Sequence, residues 1–146
     1  DKRILQIVEN MSAGSFNEDC SDIPDLVPIM AVLAAFGKDK SVIYNAQRLR
    51  IKESDRLAAV SDMLGRLGGD VTVTEDGLII YPTGKMTGGQ VDSFGDHRIV
   101  MAAAIAAVGC SGDVVIRGAQ AVEKSYPDFF KDYIHLGGKV NVIDME

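Results

Sequence analysis

The chain has only two cysteines, Cys20 and Cys110, far apart in the sequence. Two isolated cysteines exclude a disulfide framework and the close spacing of a zinc or redox motif, so a reducing, cytoplasmic setting is the expectation. Positive charge is also scarce, with fifteen Lys and Arg against twenty-one Asp and Glu, for a net charge of −6. That balance argues against a broad electrostatic hold on nucleic acid or an anionic membrane. Any anion must be held by a local basic cluster. A membrane-length apolar run is missing: the stretch from Val100 to Val108 is far too short to span a bilayer and is flanked by charge, and no signal-peptide pattern opens the chain. The first residue is Asp1 rather than Met, so a preceding segment is expected. What is present is a 146-residue chain with 47 % hydrophobic residues, enough for one domain with a real core.

The sequence repeats itself. "FGKDKSVIYNAQ" and "VGCSGDVVIRGAQ" align Gly37 with Gly109, 72 positions on, and Lys52 falls on Lys124 at the same distance. "LGGDVTV" from Leu67 matches "LGGKVNV" from Leu136, 69 positions on. Each unit reads as an apolar helix, a strand, a charged loop, an amphipathic helix ending in Leu-Gly-Gly, and another strand, a βαβαββ-like order. The first helices, "DLVPIMAVLAAF" and "HRIVMAAAIAAV", are apolar all round and are expected to be buried. The second carry one stripe, Val60, Met63, Leu64 and Leu67 in one unit and Phe129, Tyr133 and Leu136 in the other. Gly68 and Gly137 read as left-handed C-caps. Asp76-Gly77 reads as the turn of a hairpin in "VTVTEDGLIIY". The six methionines read as core filler.

A third, broken copy opens the chain. "KRILQIVENM" has the second-helix stripe in Ile4, Ile7, Val8 and Met11, and "SAGS" at Ser12 to Ser15 reads as a short junction where a hairpin is missing. The expected organisation is one incomplete domain over 1–146, with 1–19 the remnant of an earlier repeat and 20–91 and 92–146 the two repeats.

The repeat places ionisable residues at equivalent helix starts. Asp25 and His97 open first helices, and Lys52 and Lys124 lie just ahead of second helices. Free backbone N–H groups and the helix dipole favour anions there, by about 0.3–1 kcal/mol at exposed sites. Lys52, Arg56, Arg98 and Lys124 therefore stand at the wrong ends for cations unless an anion lies between. Each cluster alone also has a plain reading: "KESDR" as a solvated helix start with Ser54 as N-cap and Asp55 in the first turn, "DHR" as an Asp N-cap with two polar followers, Lys124 as a residue before a helix whose Pro127 takes the first position, and Asp25 as a cap. None of these explains why the clusters recur at equivalent places.

"IPD" with Asp25, "RLRIKESDRL" with Lys52, Glu53 and Arg56, "DHR" with His97 and Arg98, and "KSYPDFF" with Lys124 resemble the C-terminal third of the 5-enolpyruvylshikimate-3-phosphate synthase family, in order and spacing, from about Cys20 onward. The sister family, UDP-N-acetylglucosamine enolpyruvyl transferase, shares the fold but lacks the "KESDR" and "KSYPD" wording. The resemblance implies an α+β chain built of βαβαββ units of the enolpyruvyl transferase (inverse α/β barrel) fold, about two complete units and part of a third. It implies transfer of the enolpyruvyl group of phosphoenolpyruvate to the 5-hydroxyl of shikimate 3-phosphate, without metal or cofactor, through a tetrahedral intermediate. By the same resemblance Asp25 is the general base at the hydroxyl, and Glu53 is the acid that protonates the methylene carbon. Lys52 lies near the hydroxyl and the phosphate, Arg56 and Arg98 clamp the phosphoenolpyruvate carboxylate, and Lys124 binds phosphate. His97 orients Glu53 or the ligand. Arg48 is a further candidate at a position where some members carry an asparagine touching shikimate phosphate. The family's other site residues belong to an N-terminal portion outside this sequence, the partner a complete site requires, so the chain alone is expected to be inactive. A non-catalytic, anion-binding repeat domain is the rival reading. An incomplete domain also exposes apolar surface on which another copy could pair.

Overall fold

A computed structural model of the chain describes residues 3–11 and 14–143, apart from the side chains of residues 10 and 11. The elements run α1 (Arg3–Met11), β1 (Asn17–Asp19), α2 (Val27–Ala35), β2 (Ser41–Tyr44), α3 (Arg56–Arg66), β3 (Asp70–Val73), β4 (Leu78–Tyr81), β5 (Gly89–Asp92), α4 (His97–Gly109), β6 (Val114–Arg117) and α5 (Phe129–His135). Short 3₁₀ turns at Pro24–Leu26, Gln47–Ile51 and Ala119–Lys124 precede α2, α3 and α5.

Alternation makes the central strands. Ser41, Ile43, Leu78 and Ile80 are buried, while Tyr44 and Tyr81 face out, the period of two that a half-buried strand requires. The sheet order is β1-β2-β4-β3, with β1 parallel to β2 and the other two pairings antiparallel. The expected hairpin is present, closed by the Thr74 N–H donating to the Gly77 carbonyl at 2.9 Å. α2 and α4 are apolar on nearly every side; α2 is buried through Val27, Met30 and Ala31, whereas α4 buries Ile99, Val100 and Ala103 but leaves Ile105 and Val108 exposed. α3 buries one face through Leu57, Val60, Met63 and Leu64. It ends where expected, with Gly68 at φ +106°, and a Cβ there would lie 2.1 Å from the Lys85 carbonyl oxygen. Cys20 is fully buried, and burial pushes its thiol up to about 12, so it acts as apolar filler. No helix among the described residues is long and apolar enough to cross a membrane.

The first unit is βαβαββ, from β1 to β4, and the second opens with β5, α4, β6 and α5, its two strands forming a separate parallel pair. Backbone hydrogen bonds superimpose the units 73 positions apart rather than 72. Cys20 N–H donates to Tyr44 O at 2.9 Å and Ser93 N–H to Arg117 O at 3.0 Å; Gly37 N–H donates to Ala34 O and Cys110 N–H to Ala107 O. Asp19 Oδ1 likewise accepts from Ser21 N–H, and Asp92 Oδ1 from Phe94 N–H. Asp25 is therefore the counterpart of Arg98, not of His97, and Asp96 is the counterpart of the buried Ile23. The shared glycine that aligned Gly37 with Gly109 is a coincidence of residue type. The drop to 69 at Leu136 is a helix effect: α3 has 11 residues and α5 has 7, a difference of about one turn.

The strand expected after Gly138 does not form. β3 is held by pairing with β4, and among the described residues no strand follows α5 to do the same, so Val142 is 91 % exposed. The α5 stripe is also less buried than expected: Phe129 and Tyr133 are half-buried and Leu136 is exposed. In α1, Ile7 is buried, Ile4 half-buried and Val8 exposed. The Met11 side chain and residues 12–13 of the junction lie outside what is described.

Two glycine substitutions test this packing. A Cβ at Gly77 would stand 1.8 Å from the Ile43 carbonyl oxygen, so Gly77→Ala should destabilise by about 1–3 kcal/mol or more. Gly65 lies on the outer face of α3 with nothing within 4 Å, so Gly65→Ala should stabilise by about 0.5–1 kcal/mol. Urea unfolding of both variants reads the opposite signs.

Candidate active site

The 3₁₀ turn before α2, the loop into α3 and the start of α4 meet at one side chain. Arg56, the first residue of α3, is 2 % exposed. Its Nε donates to Asp96 Oδ2 at 2.8 Å and its Nη2 to Asp96 Oδ1 at 3.2 Å. Nη2 also donates to Glu53 Oε2 at 2.7 Å, and Nη1 to Asp25 Oδ1 at 3.0 Å. Asp96 is the N-cap of α4, fully buried, and accepts from the Arg98 N–H at 2.9 Å and the Ser54 hydroxyl at 2.8 Å. Burial works against both charges, yet the two groups stabilise each other. The pKa of Arg56 is raised, because the Asp96 hydrogen bond and the charges of Asp96, Glu53 and Asp25 outweigh its desolvation. The Asp96 carboxyl is held below its ordinary value, because hydrogen bonds from Arg56, Ser54 and the Arg98 N–H, with the Arg56 charge, outweigh its desolvation.

The other two carboxylates are open to solvent, with side-chain exposure of 53 % at Asp25 and 42 % at Glu53. Arg98 Nη2 lies 3.8 Å from Asp25 Oδ2, while Arg98 Nε is buried with no hydrogen-bond partner among the described residues. His97 Nδ1 is in the same condition, and no His97 to Glu53 bond is formed. Lys124 Nζ donates to the Gly95 carbonyl at 2.8 Å, tying the end of its 3₁₀ turn to the loop ahead of α4. In that loop Phe94 has φ +51°, uncommon for a bulky side chain. Lys52 and Arg48 are exposed and form no ion pair with the described residues. Arg50 donates to Thr74 O at 2.9 Å and pins the charged loop to the β3–β4 hairpin.

Thus Asp25, Glu53, Arg56 and Arg98 come together; Lys124 joins their loop, and Lys52 and Arg48 stay at the rim. The cap of α3 is Asp55, whose side chain accepts from the Ala58 N–H at 3.1 Å, and not Ser54, which turns away to bond Asp96. Asp96 is the residue that sequence reasoning passed over, since as the first letter of "DHR" it reads fully as a cap. The 73-position match supplies the signal, a carboxylate where the other unit buries Ile23. Chemically, two guanidinium forks suit a planar carboxylate, and two solvent-reachable carboxylates beside them can exchange protons.

A buried carboxylate with a depressed pKa contributes stability above its unfolded value of about 3.9 that is lost as pH falls through the lower folded value. Asp96→Asn should flatten that acid limb in urea unfolding curves taken between neutral and low pH. At pH 7 it should destabilise toward the lower end of the about 3–5 kcal/mol seen for broken buried pairs, because Asp25 and Glu53 still face Arg56.

The family model for EPSP synthase (3-phosphoshikimate 1-carboxyvinyltransferase) matches residues 3–133. A 3-phosphoshikimate 1-carboxyvinyltransferase of Clostridium novyi is 45 % identical over 157 aligned positions, covering 97 % of this chain and 36 % of that protein. A Methanococcus maripaludis relative of the same name is 38 % identical, covering 98 % of this chain and 37 % of its own length. An alignment of 157 positions on a 146-residue chain means that the relative carries residues this chain lacks within the aligned span. A solved structure of EPSP synthase from Acinetobacter baumannii superimposes with a TM-score of 0.76 at 35 % identity, covering 80 % of this chain and 28 % of that one. The enolpyruvyl transferase NikO of Streptomyces tendae shares the fold, with a TM-score of 0.70 at 19 % identity, covering 88 % of this chain and 29 % of that one. The chain spans a little over a third of the length of the curated relatives it matches. With its motifs, its βαβαββ unit and this match over most of its length, the chain belongs to the EPSP synthase family.

Proposed function

We propose that the chain supplies one half of a cytoplasmic site that moves the enolpyruvyl group of phosphoenolpyruvate to the 5-hydroxyl of shikimate 3-phosphate, releasing phosphate. The observation that carries this reading is the pair of open carboxylates, Asp25 and Glu53, held on one guanidinium with Arg98 alongside. Both substrates are polyanions, so cations must offset their repulsion before the hydroxyl nears the enol carbon. Arg56 and Arg98 take the phosphoenolpyruvate carboxylate. Asp25 accepts the hydroxyl proton, and Glu53 delivers one to the methylene carbon and later recovers it; such general acid and base steps each contribute about 10²–10⁴-fold. Lys124 and Lys52 serve the phosphate, with Arg48 at the rim of the shikimate phosphate, and His97 orients Glu53 or the ligand. The reaction so read uses no metal or cofactor. The partner is the complementary N-terminal portion of the enzyme, which contributes the remaining contacts.

The purified chain alone should release no phosphate from the two substrates, and turnover should return when the complementary portion is added. Calorimetric titration should find weak phosphoenolpyruvate binding to the chain, weakened about tenfold or more by Arg98→Ala. Turnover by the chain alone would contradict the half-site, and absence of binding to either substrate would favour a purely structural repeat domain.

A further inference from the structure

A guanidinium offers five N–H bonds, four of them paired on two edges. In Arg56 the side edge, Nε with one Nη2 hydrogen, is taken by the two oxygens of fully buried Asp96. The end edge, Nη1 with the other Nη2 hydrogen, is shared between two separate carboxylates, one oxygen each from Asp25 and Glu53. The two edges differ in access. Asp96 is closed to solvent and braced by Ser54 and the Arg98 N–H, whereas Asp25 and Glu53 are about half exposed. One planar carboxylate arriving at the end edge could make two parallel bonds where two single contacts now stand.

The repeat supplies an independent indication. At the 73-position match the counterpart of Asp96 is Ile23, and the counterpart of Arg56, also the first residue of its helix, is Phe129. Each of the two positions is thus filled by an apolar residue in the other unit, Ile23 and Phe129 packing in separate hydrophobic clusters, and buried ion pairs are often replaceable by hydrophobic ones at no loss of stability. We propose that Asp96 is the positioning residue of the site: it fixes Arg56 by the side edge, so that a ligand carboxylate exchanges with Asp25 and Glu53 on the end edge without moving the arginine. Ligand capture and release of the two proton-transferring carboxylates are then one event, which rests on the enolpyruvyl reading of the site. Asp96 itself touches no substrate.

The arginine side-chain ¹⁵N–¹H spectrum of the chain tests this, with phosphoenolpyruvate as the probe. The Arg56 Nε–H should be protected from solvent exchange, keep that protection in Asp25→Asn and Glu53→Gln, and lose it in Asp96→Asn while circular dichroism reports intact helices. Phosphoenolpyruvate should shift the Arg56 Nη signals and leave Nε in place, and Asp96→Asn should weaken its binding about tenfold or more. Protection that survives Asp96→Asn, or disappears in Glu53→Gln, overturns the proposal, as does a ligand that moves Nε as much as Nη. If Asp96→Asn does not fold, Ser54→Ala removes one brace of Asp96 and should speed Nε–H exchange; unchanged exchange overturns the proposal. A wild-type chain that takes up no phosphoenolpyruvate fails the functional reading, while the Nε protection of the ligand-free variants still decides the role of Asp96.

Discussion

The contact between Arg56 and Asp96 is the constraint around which the site is arranged. Neither charge is tolerable alone at 2 % and 0 % exposure, since an unpaired buried ion costs several kcal/mol. Pairing them joins the start of α3 to the start of α4, 40 residues apart. Ser54 and the Arg98 N–H complete the carboxylate, and Glu53 and Asp25 complete the guanidinium.

Helix electrostatics make the arrangement intelligible. A cation at the first position of α3 faces the positive end of the dipole and the unpaired N–H groups of the first turn. The chain itself provides anions there: Asp55 caps α3, Asp96 caps α4, and Asp25 reaches across from the turn before α2. Part of the anion demand inferred from cations at helix starts is therefore met internally. What stays open to a ligand is the edge held by exposed carboxylates, together with Arg98, whose Nε is buried without a partner among the described residues.

Much of the fold was readable from local pattern. The hairpin at Asp76-Gly77, the buried character of α2 and α4, and the left-handed glycines after α3 and α5 follow from periodicity and turn chemistry within a few residues. The repeat was legible too, but not its register. Identity of Gly37 with Gly109 suggested 72 positions, whereas the hydrogen bonds run at 73, because the ladder answers to backbone geometry and not to residue type. Ser54 and Asp55 are equally good caps by composition. The choice between them was made by Asp96, which draws the serine hydroxyl away. The strand after Gly138 had the right residues and lacked a neighbour to pair with among the described ones.

The sequence by itself determined the βαβαββ order of the first unit and the faces that its helices and strands bury, since each depends on residues close along the chain. The tertiary structure alone decided that Arg56 is a buried hub, that Asp96 holds its inner edge, and that Asp25 and Glu53 share its outer one. The physical reason is range. Periodicity and capping act over one or two turns, whereas the desolvation that makes Arg56 and Asp96 need each other exists only once segments 40 residues apart have closed over them.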